Sequence, residues 1–592
     1  MDNWVLKRAM LTPERTAVFD GETRYTFGDV FDQAQRLGAV LDGLGAFKAQ
    51  NVAMASNNDI RGYLLAVTLL LYGKTVVWLN KRLTNDELNQ QMRDAGVACC
   101  LKGDSLPAEL LDGASCGDDI RVVSFGEIFA KVDETKLVDD ADLRQKSPIP
   151  REFSDDQVVS IMFTSGSTGA PKGIRQTVRN HFTSATSVAL NLGTNPADEW
   201  LCAVPIFHIS GYSIILRGLI FGVAVRLMNH FDAPEMERIL TNEPVTWVSV
   251  VPTMLTALVP EHEQRISGAF AMQHGGYVPS DSASAVPSVE ASGDAGAAGL
   301  EQRIAESSDS ERSAGSDAGN SASEAVALPA NFGYSPTFKG FILGGEKSNL
   351  ALLKRCHGLG MVVVRSYGMS ETCSQIVGTG TGDGARKLLS SGKPYFTTSL
   401  KIADETGEIL IKTDALTPGY LNRPGVFEAK KTADGWYRTG DVGHLDDDGY
   451  LYVDGRLDNM MISGGEHVFP EEVERIYADC PGIDEIAVTA EPDAKWGEVP
   501  VAYVVCGEDY ARSAEHRQSD VTVSAADGSE ADELAASSVP SAEVPASLAA
   551  RWREFGRARL AHYKVPQRFY RVEALPRTST GKVRRFLLEP RQ

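Results

Sequence analysis

Residues 163 to 173 read Phe163-Thr-Ser-Gly-Ser-Thr-Gly-Ala-Pro-Lys-Gly173, directly after the apolar run Val159–Phe163. A β-branched run that ends in such a string reads as a strand feeding a tight loop. Glycines let the backbone approach a ligand closely, while hydroxyls and amides of a Ser/Thr-rich turn can donate to phosphate oxygens. Lys172 adds a point charge at the loop's end. The spacing differs from the G-x-x-x-x-G-K-[ST] phosphate loop, so the string predicts an anion-binding loop of another kind.

Outward from the loop, short β-branched runs alternate with helical stretches: Val159–Phe163, Thr246–Val251, Gly340–Leu343 and Met361–Val364. That alternation predicts an α/β architecture. The stretch Tyr63–Trp78 is apolar but is broken by Gly73 and Lys74. It is too short to cross a bilayer and reads as a buried helix followed by a strand. After about residue 457 comes a second compact region, with apolar runs at Ile483–Thr489 and Val501–Val505 and a helix expected near Ser547. Two stretches, about 261–335 and about 510–547, are rich in Ala, Ser, Gly, Asp and Glu. They hold too few large apolar residues to repay ordering the backbone, and are expected to be loosely held insertions. No internal repeat is visible.

The 592 residues carry a net charge of −21, with 43% hydrophobic residues. Such a chain has material for more than one domain, and its acidity argues against a duplex nucleic-acid binder. The eight cysteines form no C-x-x-C pair and no zinc-type spacing. Scattered thiols and an N-terminus without a basic-then-apolar leader predict a cytoplasmic protein.

The Phe163–Gly173 string resembles the phosphate loop of the adenylate-forming superfamily, which includes acyl-CoA synthetases, luciferases and adenylation domains. The resemblance extends in order along nearly the whole chain outside the two insertions. It implies a large N-terminal domain of α/β subdomains (1–457) and a mobile, smaller α+β domain (458–592). Nucleotide would meet Thr164, Ser165, Gly166, Ser167, Thr168, Gly169 and Lys172. Ser366-Tyr-Gly-Met-Ser-Glu371 is similar to the superfamily's adenine and phosphate motif. There Tyr367 would offer a ring to adenine, Gly368 would keep the backbone close, Ser370 would meet the α-phosphate, and Glu371 would supply a hard oxygen for Mg²⁺. Tyr437-Arg-Thr-Gly-Asp441 resembles the ribose motif, where Asp441 can accept from both hydroxyls. Arg456 matches a second ribose and phosphate contact, and Asp458 matches the hinge. Ser463-Gly-Gly-Glu466 is similar to the loop lining the pantetheine tunnel, with Gly464 and Gly465 at its narrowest point. Lys582, in Pro576-Arg-Thr-Ser-Thr-Gly-Lys582, resembles the mobile catalytic lysine. The implied catalytic set is Thr164, His208, Glu371 and Lys582. ATP, Mg²⁺ and coenzyme A are the implied small molecules, together with a carboxylic acid. No nucleic acid or membrane span is expected, and a homo-oligomer is left open.

Within the superfamily, Asn3-Trp, Arg8–Ala17, Leu79–Leu88, Pro205-Ile-Phe-His-Ile-Ser-Gly211 and Tyr367–Ile376 resemble the 2-succinylbenzoate–CoA ligases of menaquinone biosynthesis. On that resemblance His208 and Ser210 would stand at the mouth of the acyl pocket and Gly344 and Gly345 would form its flat wall. Arg217 would face the acid's second charge. Glu346 and Lys347 after the wall glycines, and the looser run before Ser390-Ser-Gly-Lys-Pro394, depart from the pattern. Three other readings compete: a ligase for another aromatic or medium-chain acid, an adenylation enzyme loading a separate carrier protein, and a non-catalytic scaffold whose insertions recruit partners. Negative charge on the attacking oxygen and α-phosphate must be offset, so Lys582→Ala is expected to lower acid-dependent pyrophosphate release by ~10²–10³-fold. ATP binding measured by calorimetry should stay near the parent's value, and surviving activity would remove Lys582 from the reaction.

Overall fold

The computed structural model describes residues 1–111, 120–135, 148–164, 171–273, 330–345, 350–383, 386–464, 466–493, 495–507, 542–577 and 583–588. Among them the chain forms four sheets with helices packed between and around them.

A six-stranded sheet runs in the order Arg121–Ser124, Cys99–Lys102, Asn51–Ala55, Thr75–Trp78, Val158–Thr164, Lys172–Thr177. Its first five strands are parallel, and the last folds back antiparallel as a hairpin. A nine-stranded sheet places Gly340–Leu343 between Trp247–Val250 and Val363–Met369. Helices Phe27–Gly43, Ile60–Leu71, Val178–Leu192 and Ile209–Phe221 share one large apolar core with residues of both sheets. Ile60–Leu71 has ten buried residues out of twelve. A helix apolar on nearly every face is stable only when enclosed, and both sheets feed the core it occupies. The expected buried helix and following strand are thus Ile60–Leu71 and Thr75–Trp78.

An antiparallel sheet of four strands, Thr398–Ile402, Glu408–Thr413, Tyr437–Leu445 and Leu451–Arg456, follows. The chain then passes through one turn of 3₁₀ helix, Leu457–Asn459, into a fourth sheet that begins at Met461. That sheet has its own core, closed by helices Pro470–Tyr477 and Ala546–Arg557. The seven described cysteines are free thiols, and no described helix is long and apolar enough to cross a membrane.

The edges of both low-complexity stretches are more ordered than composition suggests. Helix Pro252–Gln273 runs well past residue 261. His262 is fully buried, stacked on Tyr334 with ring centroids 4.3 Å apart, and its Nδ1 lies 2.9 Å from Glu237 Oε1. Arg265 Nε donates to the same oxygen at 2.6 Å. A few well-packed residues at each margin therefore anchor that stretch, and averaging over a polar window conceals them. Residues 274–329 lie outside the described residues. Likewise Ala542–Glu543 pairs with Arg568–Arg571 and the next helix starts at Ala546, inside the stretch read as 510–547.

The nine-stranded and four-stranded sheets meet at Ser390–Pro394. Leu451 N donates to Gly392 O at 2.8 Å, while Lys393 pairs with Gly378. Gly392 has φ +98°, and an added Cβ would stand 1.8 Å from the carbonyl carbon of Gly378. Backbone cannot yield like a side chain, so Gly392→Ala is expected to cost ~3 kcal/mol or more. The check is urea unfolding, with a lower midpoint at unchanged slope.

Candidate active site

The hairpin between Val158–Thr164 and Lys172–Thr177 pairs Thr164 directly with Lys172. The two ends of the candidate phosphate loop are thereby pinned together. Ser165, Gly166, Ser167, Thr168 and Gly169 lie outside the described residues, as do Gly465 and Lys582. Lys172 Nζ stands over the ring of Tyr420, 5.6 Å from its centroid. Burial lowers its pKa, and the nearby Lys430 adds to that, while Glu371 and Asp458 oppose it.

Tyr420 was not singled out by sequence reasoning, yet it joins two of the motifs. Its hydroxyl donates to Glu371 Oε1 at 2.8 Å and lies 3.2 Å from the hydroxyl of Tyr437. Glu371 sits in the 3₁₀ turn Ser370–Thr372 that follows strand Val363–Met369. The next two residues, Cys373 (φ +53°) and Ser374 (φ +117°), occupy the left-handed region without being glycine. Such backbone costs ~1–3 kcal/mol per residue and persists only when surroundings over-determine it. Here Thr372 Oγ1 donates to Ser374 O at 2.8 Å and Ser184 Oγ to Cys373 O at 2.7 Å. Among the described residues no three His, Cys, Asp or Glu side chains come together as a metal cage. A donor set of one carboxylate, Glu371, fits Mg²⁺, which takes its remaining oxygens from phosphates and water.

Asp441 is nearly enclosed. Tyr367 Oη donates to its Oδ2 at 2.6 Å and Arg456 Nη1 to its Oδ1 at 2.8 Å. Tyr367 thus positions the Asp441 carboxylate in addition to being the candidate aromatic wall, which the motif alone does not reveal. Arg456 Nη2 also reaches Asp458 Oδ2 at 3.6 Å. Gly368 packs against backbone, where a Cβ would meet Ser374 O at 2.2 Å. Gly464 has φ +61° and lies under the indole of Trp496.

The acyl-pocket candidates gather around the start of helix Ile209–Phe221. His208 is its N-cap residue and Ser210 lies in its first turn. Asn58, another residue missed by sequence reasoning, holds the segment before it. Asn58 Nδ2 donates to Cys202 O and Val204 O at 3.2 and 2.9 Å, and Oδ1 accepts from Ile206 N at 2.9 Å. Its partners lie about 145 residues away, so no local pattern betrays it. His208 packs tilted on Phe207 at 4.6 Å, and its Nε2 has no hydrogen-bond partner among the described residues. Gly344 abuts Ser366, whose Oγ donates to Leu343 O at 3.2 Å, so the candidate wall adjoins the strand carrying Tyr367.

Arg217 is buried, 3% exposed, where a helix-surface arginine would be solvated. Its Nη2 donates to Ser374 Oγ at 3.2 Å and Gln375 Oε1 at 3.3 Å, and its guanidinium lies over Trp200 at 5.0 Å. Burial pushes its pKa down to about 10. Among the described residues no carboxylate lies within ion-pair distance of it, and its Nε has no hydrogen-bond partner. A buried cation satisfied only by neutral groups is costly and suits a site that receives an anion.

With this geometry in hand, the family profile described as AMP-binding enzyme matches residues 5–421, and that of the AMP-binding enzyme C-terminal domain matches 472–526. The chain belongs to the AMP-binding enzyme family. It is 33% identical to the 2-succinylbenzoate–CoA ligase of Listeria monocytogenes serotype 4b, across 100% of this chain and 99% of the relative. It is also 33% identical to the ligase of that name from Geobacillus kaustophilus, across 99% and 96%. Among solved structures it matches o-succinylbenzoate CoA synthetase from Bacillus subtilis in complex with the acyl-adenylate OSB-AMP. That match has TM-score 0.73 and 28% identity, covering 100% of this chain and 99% of the other.

The neutrality of His208 gives a pH signature. Burial, helped by the Arg82 cation, lowers its pKa from 6.5 to about 4. Between those values the unfolded chain binds the proton and the folded one does not, so stability falls as pH drops below 6.5. Relative to His208→Asn, the parent is expected to lose about 1 kcal/mol more per pH unit between pH 6.5 and 5. Parallel urea melts at pH 7.5, 6.5 and 5.5 check this, and a constant difference would contradict it.

Proposed function

We propose that the protein is an ATP-dependent ligase that activates 2-succinylbenzoate as an acyl-adenylate and transfers it to coenzyme A, releasing pyrophosphate and AMP, in menaquinone biosynthesis. Whole-length similarity to ligases of that name supports the reading. The observation that carries the choice of acid is Arg217, a buried cation held by Ser374, Gln375 and Trp200 with no carboxylate at ion-pair distance among the described residues. A dicarboxylate brings one charge to the reaction and leaves a second to be neutralised. Arg217 compensates that second charge from behind Ser374 and Gln375.

In the first step one oxygen of the reacting substrate carboxylate attacks the α-phosphorus, the bond to the β-phosphate bridging oxygen breaks, and pyrophosphate leaves with that electron pair. Two anions must be brought together, so positioning and charge neutralisation are the main tasks. Thr164, Lys172 and the loop 165–169 hold the phosphates, and Lys582 offsets charge at the attacking oxygen and α-phosphate. Asp441 and Arg456 hold the ribose, and Tyr367 orients Asp441 and lines the adenine. Mg²⁺, when bound at Glu371, neutralises phosphate charge. His208, neutral at physiological pH, and Ser210 border the acyl group, and Gly344 and Gly345 leave room for a flat ring. In the second step the coenzyme A sulfur, as thiolate, attacks the acyl carbon, and AMP departs with the carboxyl-derived oxygen. Rotation of the 458–592 domain about Asp458 withdraws Lys582 and brings Gly464 and Gly465 to the thiol's path. Small molecules are the partners, and the cytoplasm is the proposed location.

The test is pyrophosphate release with ATP, Mg²⁺ and 2-succinylbenzoate, with the thioester identified by mass. Turnover only with benzoate-like monoacids or fatty acids would keep the ligase and replace the acid. Transfer to a carrier protein with none to coenzyme A would favour the carrier-loading reading, and silence with every acid would favour the scaffold. Arg217→Gln is expected to raise KM for 2-succinylbenzoate by ~10–100-fold, since a hydrogen bond to a charged group contributes ~1.5–3 kcal/mol. KM for ATP should change little.

A further inference from the structure

We propose that His181, Ser160 and Gln176 form a one-way chain of hydrogen bonds that sets the position of the Ser370–Glu371 turn, which makes them positioning residues for adenylate formation. The proposal rests on the adenylation reading above.

Ser160 lies in strand Val158–Thr164, Gln176 in its hairpin partner Lys172–Thr177, and His181 in the helix that follows. All three are buried: Ser160 and Gln176 are 0% exposed and His181 2%. Val159, Ile161 and Met162 around Ser160 are apolar, as a strand buried on both faces requires. Three polar side chains in such a place cost stability unless each is satisfied.

The geometry fixes every proton. Gln176 Nε2 stands 2.8 Å from Ser370 O, a carbonyl that can only accept, so the amide nitrogen must face it. Gln176 Oε1 is then the acceptor 2.7 Å from Ser160 Oγ, and the serine hydroxyl donates to it. That hydroxyl has spent its one proton, so His181 Nε2, 2.8 Å from Ser160 Oγ, must carry a hydrogen and donate. Burial, with the Arg217 cation beside it, lowers the pKa of His181 to about 3. The ring is therefore neutral and singly protonated, as the chain demands. Its ring stands nearly perpendicular to that of Tyr212, with centroids 5.8 Å apart. The result runs from His181 Nε2–H to Ser160, from Ser160 O–H to Gln176, and from Gln176 N–H to the carbonyl of Ser370.

The far end of the chain is the point that matters. Ser370 precedes Glu371, and the left-handed residues Cys373 and Ser374 come just after. A turn held in costly backbone needs external fixing, and Gln176 supplies it from the strand that also carries Lys172. The distance between the phosphate loop's lysine and the Glu371 carboxylate is thereby set by one hairpin. Attack on phosphorus depends on that spacing, whereas attack of a thiol on a finished adenylate does not.

The two half-reactions separate this role from a merely structural one. In the full-length protein, pyrophosphate release from ATP, Mg²⁺ and 2-succinylbenzoate reports the first. Thioester formation from supplied acyl-adenylate and coenzyme A reports the second. Gln176→Met keeps length and removes the donor. It is expected to lower kcat of the first half by ~10-fold or more while the second stays within ~2-fold. Ser160→Ala should act in the same direction, with Ser160→Thr, which keeps the hydroxyl, recovering at least half of the lost rate. If Gln176→Met does not fold, the Ser160 pair decides by the same ratio. A ratio between the two losses below ~3, or a threonine variant no better than alanine, would overturn the proposal. If the parent itself ignores 2-succinylbenzoate, the choice of acid has failed separately. The same ratio is then read with whichever acid the parent activates.

Discussion

One hairpin constrains the rest of the site. Val158–Thr164 and Lys172–Thr177 form the antiparallel edge of an otherwise parallel sheet, and their register closes the candidate phosphate loop at Thr164 and Lys172. From the returning strand and the helix after it, side chains reach carbonyls in the turns that follow strands of two other sheets. Gln176 donates to Ser370 O, Asn180 to Asp414 O and Leu416 O, and Ser184 to Cys373 O. Thr417 Oγ1 donates back to Arg175 O. Buried carbonyls must be paired, and here the obligation is met by groups from the loop-bearing element. The candidate phosphate, metal and adenine positions therefore share one frame.

Charge is distributed around that frame with a pattern suited to anions in an acidic protein. Arg456 is matched by Asp441 and, more weakly, Asp458. Lys172 feels Glu371 and Asp458 but also Lys430 and Arg423. Arg217 differs, since its described partners are all neutral. A net charge of −21 leaves carboxylates abundant over the chain as a whole, so their absence among the described neighbours of Arg217 is a local property of its surroundings. The cost of burying an unmatched cation is recovered only when an anion arrives.

The α/β class was legible because it rests on local periodicity, and strands fell within a few residues of their expected places. The motif residues were legible because each cluster lies within eleven consecutive positions. Tyr420, Asn58 and His181 were not, since their meaning is the identity of a partner 20 to 150 residues away, as in Tyr420 with Glu371 or Asn58 with Ile206. Arg217 was singled out, but it shares a face with Ser210 and Ser213, which reads as solvent-facing although the helix is otherwise apolar, with Ile214, Ile215, Leu216 and Leu219. The margins of the long polar stretch were misjudged for the opposite reason. A handful of residues, His262, Arg265 and Tyr334, outweigh a window dominated by Ser, Ala and Gly.

The same contacts bear on where a domain rotation of the kind the resemblance implies would turn. Arg456 is tied to the four-stranded sheet by Asp441, a charge-assisted bond at 2.8 Å to a carboxylate also gripped by Tyr367. Three residues on, Asn459 Nδ2 donates to Glu471 Oε1 at 2.6 Å, and Glu471 sits in helix Pro470–Tyr477 of the following sheet's core. Between these anchors lie only Leu457 and Asp458. The Arg456–Asp458 pair spans them at 3.6 Å, with the Asp458 side chain half exposed. Exposed ion pairs are worth ~0–1 kcal/mol, whereas breaking either anchor would leave buried polar groups unmatched. In such a rotation torsion would concentrate at Leu457 and Asp458, with Asp441 and Arg456 staying on one side and the candidate tunnel-loop residues moving with the other.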